Sequence, residues 1–227
     1  VLSFAIDPRE GTLTPLGAAP LPHSMAGLSI DRSGRWWFGA SYGGNVVAVG
    51  PIGADGVAAA AHQVLPTAPH AHAIQADPSN RFVLVPCLGG GHVMQLRFDA
   101  ATGELAANEP PTFTPHADAS PRHLVFDAAG RIVYLLNELD GLIDVLAFDA
   151  AAGTLRTVQT LSSLPPGFAG APWAADLHLS PGGRFLYSSE RRSNTLAAFR
   201  VDPASGELAA LGHVPTEAQP RGFAITP

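Results

Sequence analysis

Four residues of this 227-residue chain have types and positions that could do chemistry: His72, Arg122, Glu138 and Arg221. An imidazole and a carboxylate can take a proton from water and return one to a leaving hydroxyl near neutral pH. Two guanidiniums can grip a phosphate or carboxylate through paired N–H groups, or stabilise an oxyanion as it forms. Brought together, they would make a cationic pocket with one imidazole and one carboxylate, suited to a small anionic ligand. They are far apart in the chain, so something must bring them together.

That something is a repeat. Residues 31–42 (DRSGRWWFGASY), 77–88 (DPSNRFVLVPCL), 127–138 (DAAGRIVYLLNE) and 180–191 (SPGGRFLYSSER) share one plan: a polar turn, an arginine, then an apolar run. The arginines Arg35, Arg81, Arg131 and Arg184 are 46, 50 and 53 residues apart. A second signature keeps nearly the same beat: DPREGTL at Asp7, DAATGEL at Asp99, DAAAGTL at Asp149 and DPASGEL at Asp202, with a decayed copy around Gly53. A period of about 40–50 residues made of short strands and turns marks a β-propeller. Each repeat reads as four antiparallel strands, A to D. In the third repeat these are predicted at about 123–127, 132–138, 142–149 and 155–161. The fold class is therefore all-β, as one propeller domain over 1–227. Its blades are expected at 1–21 (partial), 22–65, 66–113, 114–163, 164–215 and 216–227 (partial), an incomplete, roughly five-blade portion of a ring.

Positions set by packing should look alike in every blade, and positions that carry function should differ. The residue nine before each repeat arginine, at the start of strand A, is Ala26, His72, Arg122 and Ala175, and the last fragment adds Arg221 by the match of Pro220–Arg221 to Pro121–Arg122. Strand A is the innermost strand of a blade, and strand B returns antiparallel to the same rim of the central channel. The residue seven after each arginine, at the end of B, is Tyr42, Leu88, Glu138 and Arg191. His72, Arg122, Glu138 and Arg221 are thus expected to meet at one end of the channel. His123, next to Arg122, is expected to point the other way and to serve a structural hydrogen bond. Asp176 and His178 should share a strand face. His70 and His72 should too, but no third ligand accompanies them, so no metal is expected.

Composition narrows the function classes. The net charge of −6 argues against a non-specific nucleic-acid binder. All 13 basic residues are arginine, so neither a Schiff-base lysine nor a phosphate-loop lysine exists. No Gly-x-Ser-x-Gly elbow is present, and the Gly43–Gly44 and Gly89–Gly91 runs are turns that open no helix. Cys87, the single cysteine, excludes an intrachain disulfide and reads as a small buried side chain, which fits a reducing compartment. No run of about 18 apolar residues suggests a membrane span. The chain opens inside a strand and stops as a new repeat begins. The expectation is a longer intact protein or a partner that completes the ring, with self-association through unpaired edges otherwise.

Beyond the repeat, SPRHLVF (120–126), YLLNELDGLIDV (134–145), WAADLHLSPGGRFLY (173–187) and PTEAQPRGF (215–223) resemble the bacterial 6-phosphogluconolactonases of the seven-bladed propeller type, a family that also includes fungal carboxy-muconate lactonising enzymes. The resemblance implies a lactone hydrolase that converts 6-phosphogluconolactone to 6-phosphogluconate in the pentose phosphate route. It implies a cytoplasmic enzyme with a small phosphorylated sugar lactone as partner and no cofactor. The family's site, a His, two Arg and a Glu, falls on His72, Arg122, Glu138 and Arg221, the set the broken repeat selects. His72 and Glu138 would divide the general-base and proton-donor work, in an order the sequence leaves open. Arg122 and Arg221 would hold the phosphate or the oxyanion. A muconolactone lyase using the same residues is the alternative enzyme, and a non-catalytic propeller scaffold the alternative from another class.

Overall fold

A computed structural model describes residues 1–226. All regular structure among them is β-strand. Strands β1 (Leu2–Ile6) and β2 (Leu13–Ala18) form a two-stranded sheet. Four four-stranded sheets follow: β3 (Gly27–Ile30) to β4 (Trp36–Ser41), β5 (Val46–Pro51) and β6 (Gln63–Pro66); β7 (Gln75–Ala76) to β8 (Phe82–Cys87), β9 (His92–Asp99) and β10 (Glu104–Phe113); β11 (Pro121–Phe126) to β12 (Ile132–Asn137), β13 (Leu142–Asp149) and β14 (Thr154–Ser162); and β15 (Ala174–Leu179) to β16 (Phe185–Glu190), β17 (Thr195–Val201) and β18 (Leu208–Pro215). Every sheet is an antiparallel meander in chain order. The first strands lie side by side, β3 against β7 and β11 against β15. This is the blade architecture the repeat predicts. Residues 216–226, where another first strand is expected, form no strand.

The two sequence signatures have one physical cause. The turn aspartate caps its own hairpin: Asp77 Oδ1 accepts the amides of Arg81 (2.9 Å) and Phe82 (2.8 Å), and Oδ2 accepts that of Ser79 (2.9 Å). Asp31 and Asp127 do the same work, and the Ser180 hydroxyl replaces the carboxylate in the fourth copy. In two blades the repeat arginine then reaches the next blade. Arg35 Nη2 donates to the Ala100 carbonyl at 2.5 Å, and Arg81 Nη2 donates to the Ala150 carbonyl. Ala100 and Ala150 lie in DAATGEL and DAAAGTL, so the arginine of one blade latches onto the second signature of the following one. Glutamines add a second latch: Gln63 with Leu105 and Gln159 with Leu208 exchange amide hydrogen bonds in both directions at 2.8–3.0 Å.

Between sheets the space is apolar. Phe82, Leu84 and Val93 of one blade interdigitate with Leu124, Phe126, Val133 and Leu135 of the next. Phe38, Leu84 and Tyr134, three positions after their arginines, are fully buried, as blade-to-blade packing requires; Tyr187, the fourth, is half-buried.

One polar clasp holds the two segments that carry Arg122 and Glu138. His116, in the loop before β11, bonds Asp140 through Nε2 (2.9 Å) and Asp144 through Nδ1 (3.2 Å). Asp144 is wholly buried and also accepts from Asn137 Nδ2 (2.8 Å) and Thr160 Oγ1 (2.6 Å). Burial presses the His116 pKa down, but the Asp140 hydrogen bond and the charges of Asp144 and Asp140 outweigh it and leave the value above 6.5. A histidine raised in the folded state gives stability that is complete below its unfolded value and lost as pH rises through the folded one. His116→Gln should therefore destabilise most in mildly acidic buffer and progressively less above neutrality. Urea melts of both proteins across that range check this, and a pH-independent difference would remove the charged clasp.

Candidate functional site

The site begins with an irregularity repeated in three blades. Ala71 pairs with Cys87, but Gln75 pairs with Leu84; Pro121 pairs with Asn137, but His123 with Leu136; Ala174 pairs with Glu190, but Leu177 with Ser188. Each first strand thus gains one residue against its partner, a β-bulge at the channel rim. A bulge breaks the alternation of faces and re-aims the side chains on it. His72, Arg122 and Ala175 occupy it. This corrects the expectation for His123. It does not turn away from Arg122, because its Nε2 lies 3.2 Å from Arg122 Nη1.

Arg122 and Glu138 meet as the repeat predicts. Arg122 Nε donates to Glu138 Oε2 at 2.6 Å, and Nη1 donates to the Ala175 carbonyl. The Arg122 side chain is 2% exposed. Glu138 serves a second guanidinium: Arg191 Nη2 is 3.0 Å from the same Oε2. Its other oxygen, Oε1, accepts the Trp173 indole N–H at 3.0 Å. Arg191 is fixed in turn by the carbonyls of Trp173 (2.9 Å) and Ala174 (3.0 Å), and its guanidinium lies 3.8 Å from the centre of the Trp173 ring. Burial, the chief influence, lowers the Arg122 pKa, with Arg191 and Arg221 adding to it against the pull of Glu138. Guanidinium stays charged even so. One carboxylate therefore lies between two buried cations.

His72 lies beside this cluster. Its ring meets Tyr42 edge-on at 5.8 Å and His123 edge-on at 5.1 Å, while His70 stacks flat on Tyr42 at 4.2 Å. Burial above all, then the charges of Arg122, His123 and Arg221, pushes the His72 pKa down to about 3. The imidazole is neutral at pH 7. Its Nδ1 is enclosed and has no hydrogen-bond partner. Such an orphan costs about 1–3 kcal/mol and calls for an explanation, either a bound water or a ligand.

Arg221 differs from the others. It is exposed and makes no ion pair among the described residues, yet its charge is felt by His72, Arg122 and Arg191. Two matching contacts place His72 and Arg221. Asn45 accepts the Thr67 amide on its carbonyl (2.9 Å) and the His70 amide on Oδ1 (2.8 Å). Asn194 does the same for Thr216 and Gln219, both at 2.8 Å. Both asparagines hold positive φ, 52° and 55°, which asparagine tolerates better than other residues with a side chain. Each pins the loop that leads into the next blade's site residue.

The sequence profile of one family, Lactonase, 7-bladed beta-propeller, matches residues 1–227 of this chain. The chain belongs to that family. Among its relatives, a 6-phosphogluconolactonase of Pectobacterium carotovorum is 46% identical over 225 residues, and one of Serratia proteamaculans is 43% identical over 227. Each alignment covers 99% of this chain and 67% of the relative. The solved Pseudomonas aeruginosa periplasmic gluconolactonase superposes with a TM-score of 0.91 at 34% identity, covering 100% of this chain and 67% of that one.

Within this lactonase propeller, sequence reasoning missed Arg191 and Trp173 as members of the cluster. Arg191 stood at the same end-of-B position as Glu138, so that column already carried the signal. Trp173 carried none, since its role depends on a contact across blades. Replacing the shared carboxylate should be costly. Glu138→Gln should lower stability by about 3–5 kcal/mol, because two buried guanidiniums lose their counter-charge. Urea unfolding measures it; a change below about 1 kcal/mol would mean solvent already compensates the arginines.

Proposed function

We propose that this chain hydrolyses a phosphorylated sugar lactone, converting 6-phosphogluconolactone to 6-phosphogluconate. The 6-phosphogluconolactonase relatives at 43–46% identity support the reaction class. The observation that carries the site is the neutral, unpartnered imidazole of His72 among Arg122, Arg221 and Glu138. Water adds to the lactone carbonyl carbon, the ring C–O bond breaks, and the ring oxygen leaves as a hydroxyl that needs a proton.

In this proposal Arg221 takes the substrate's anionic group, since its guanidinium is exposed and unpaired. Arg122 stabilises the oxyanion from beneath, held in place by Glu138. His72 receives the proton from water and returns it to the leaving oxygen. Substrate charge helps here: an anion beside Arg221 offsets part of the positive field that depresses the His72 pKa. Glu138, with Arg122, Arg191 and Trp173 on its two oxygens, orients the pair. A cytoplasmic setting is compatible with the lone buried thiol of Cys87, although one solved neighbour is periplasmic. No helix among the described residues is long and apolar enough to cross a membrane.

The test is lactonase activity on freshly generated 6-phosphogluconolactone, above the spontaneous rate. His72→Ala should lower kcat by about 10²–10⁴-fold. Arg221→Ala should chiefly raise KM, as loss of ground-state anion binding does. Wild-type kinetics in both variants would sink the assignment, and no turnover by the wild-type chain would sink the reaction.

A further inference from the structure

We propose that Asp176 is a positioning residue that holds both arginine arms of the site, Arg122 through His123 and Arg221 through the Phe223 amide, and so sets the gap between them. The proposal rests on the lactonase reading of this site.

Four donors converge on the Asp176 carboxylate. Oδ1 lies 2.8 Å from His123 Nδ1 and accepts the Leu177 amide at 2.9 Å. Oδ2 lies 3.0 Å from His178 Nε2 and accepts the Phe223 amide at 3.3 Å. The Arg122 side can be given a direction. Arg122 Nη1 can only donate, so His123 Nε2, 3.2 Å away, must accept. The His123 proton then sits on Nδ1 and is donated to Asp176. Arg122, His123 and Asp176 form one directed chain, with Arg122 ending on Glu138.

The other arm reaches Arg221. Residues 216–226 form no strand, so no sheet fixes Arg221. That segment is pinned upstream by Asn194, which accepts the amides of Thr216 and Gln219. Downstream, it is held by Asp176 at the Phe223 amide and by His178, whose ring meets the Phe223 ring edge-on at 4.7 Å. Arg221 lies between the two anchors. The repeat supplies an independent sign. The position eight before each arginine reads Gly27, Ala73, His123 and Asp176, so the bulge varies in chemistry at its second residue as well as its first.

Asparagine at 176 keeps its one acceptor oxygen toward His123 and the Leu177 amide, which both must donate, and turns its NH2 toward His178, whose ring can accept, and the Phe223 amide, which cannot, so the Arg221 arm is released. The experiment measures kcat and KM on 6-phosphogluconolactone for wild type, Asp176→Asn, Arg221→Ala and the double variant, with hydrogen exchange of the Phe223 amide alongside. Asp176→Asn should raise KM about tenfold, speed Phe223 exchange, and add little to KM once Arg221 is gone. Unchanged Phe223 exchange, or KM effects that multiply in the double variant, would overturn the proposal. Should Asp176→Asn not fold, Asp176→Glu, which keeps two acceptor oxygens but carries them one methylene further, replaces it under the same criteria. If the wild-type chain shows no turnover, the lactonase reading falls, and Phe223 exchange alone decides whether Asp176 anchors the Arg221 segment.

Discussion

A guanidinium that is 2% exposed cannot stand without a counter-charge, and the Arg122–Glu138 contact supplies it. The constraint spreads from there. Glu138 must reach Arg122 from the end of β12, so β11 and β12 must return to one rim. Arg191 shares the same oxygen and needs its own support, which Trp173 gives with a ring face and a carbonyl. The Glu138 carbonyl also accepts the Ala174 amide at 2.9 Å, so the residue that neutralises the arginines joins the two blades at that point. A buried ion pair of this kind is weak evidence for stability in itself. Its value is geometric: it admits one arrangement of three side chains and resists others.

The frame that permits this cluster is built by different residues. Turn aspartates and repeat arginines lie at the A–B turns, the opposite end of those strands from the rim, and latch glutamines on the D strands. They recur from blade to blade because blades must solve the same packing problem. The rim positions carry none of that load. They are free to be Ala in one blade, His in the next and Arg in a third. The bulge serves the same separation, since it re-aims two consecutive residues toward the channel while the remaining strand keeps its register.

That separation explains what was legible in the sequence. The blade plan was, because Asp–x–x–Gly–Arg and Asp–x–x–x–Gly–x–Leu reflect contacts within a turn and to the next blade. Arg122 and Glu138 were legible as a pair, because both break a repeated column at positions on one rim. The bulge was not: His72, Arg122 and Ala175 have nothing in common in side-chain chemistry, and a shift of one residue leaves no mark on a short strand. The bearing of His123 was misjudged for that reason. Trp173 was invisible because its partners, Glu138 and Arg191, come from two different blades. The first strand expected at residues 216–226 shows the opposite lesson. The Pro-Arg match set Arg221 near His72, Arg122 and Arg191, which feel its charge, but the match could not say what would hold it there.

The neutral state of His72 follows from the same arrangement. Burial is the main reason its pKa falls to about 3, and the charges of Arg122, His123 and Arg221 push the same way. A ligand that arrives changes the field as well. An anion beside Arg221 cancels part of the positive potential at the imidazole, and its affinity for a proton rises. On the proposed lactonase reading, the resting site discourages protonation of His72, the proposed base, and a bound anion relieves that restraint. Linkage makes the effect reciprocal: protonating His72 must tighten the grip on the anion by the same factor. A channel rim with more cations than carboxylates thus couples the charge of a bound anion to basicity, using only the position of an exposed arginine relative to a buried imidazole.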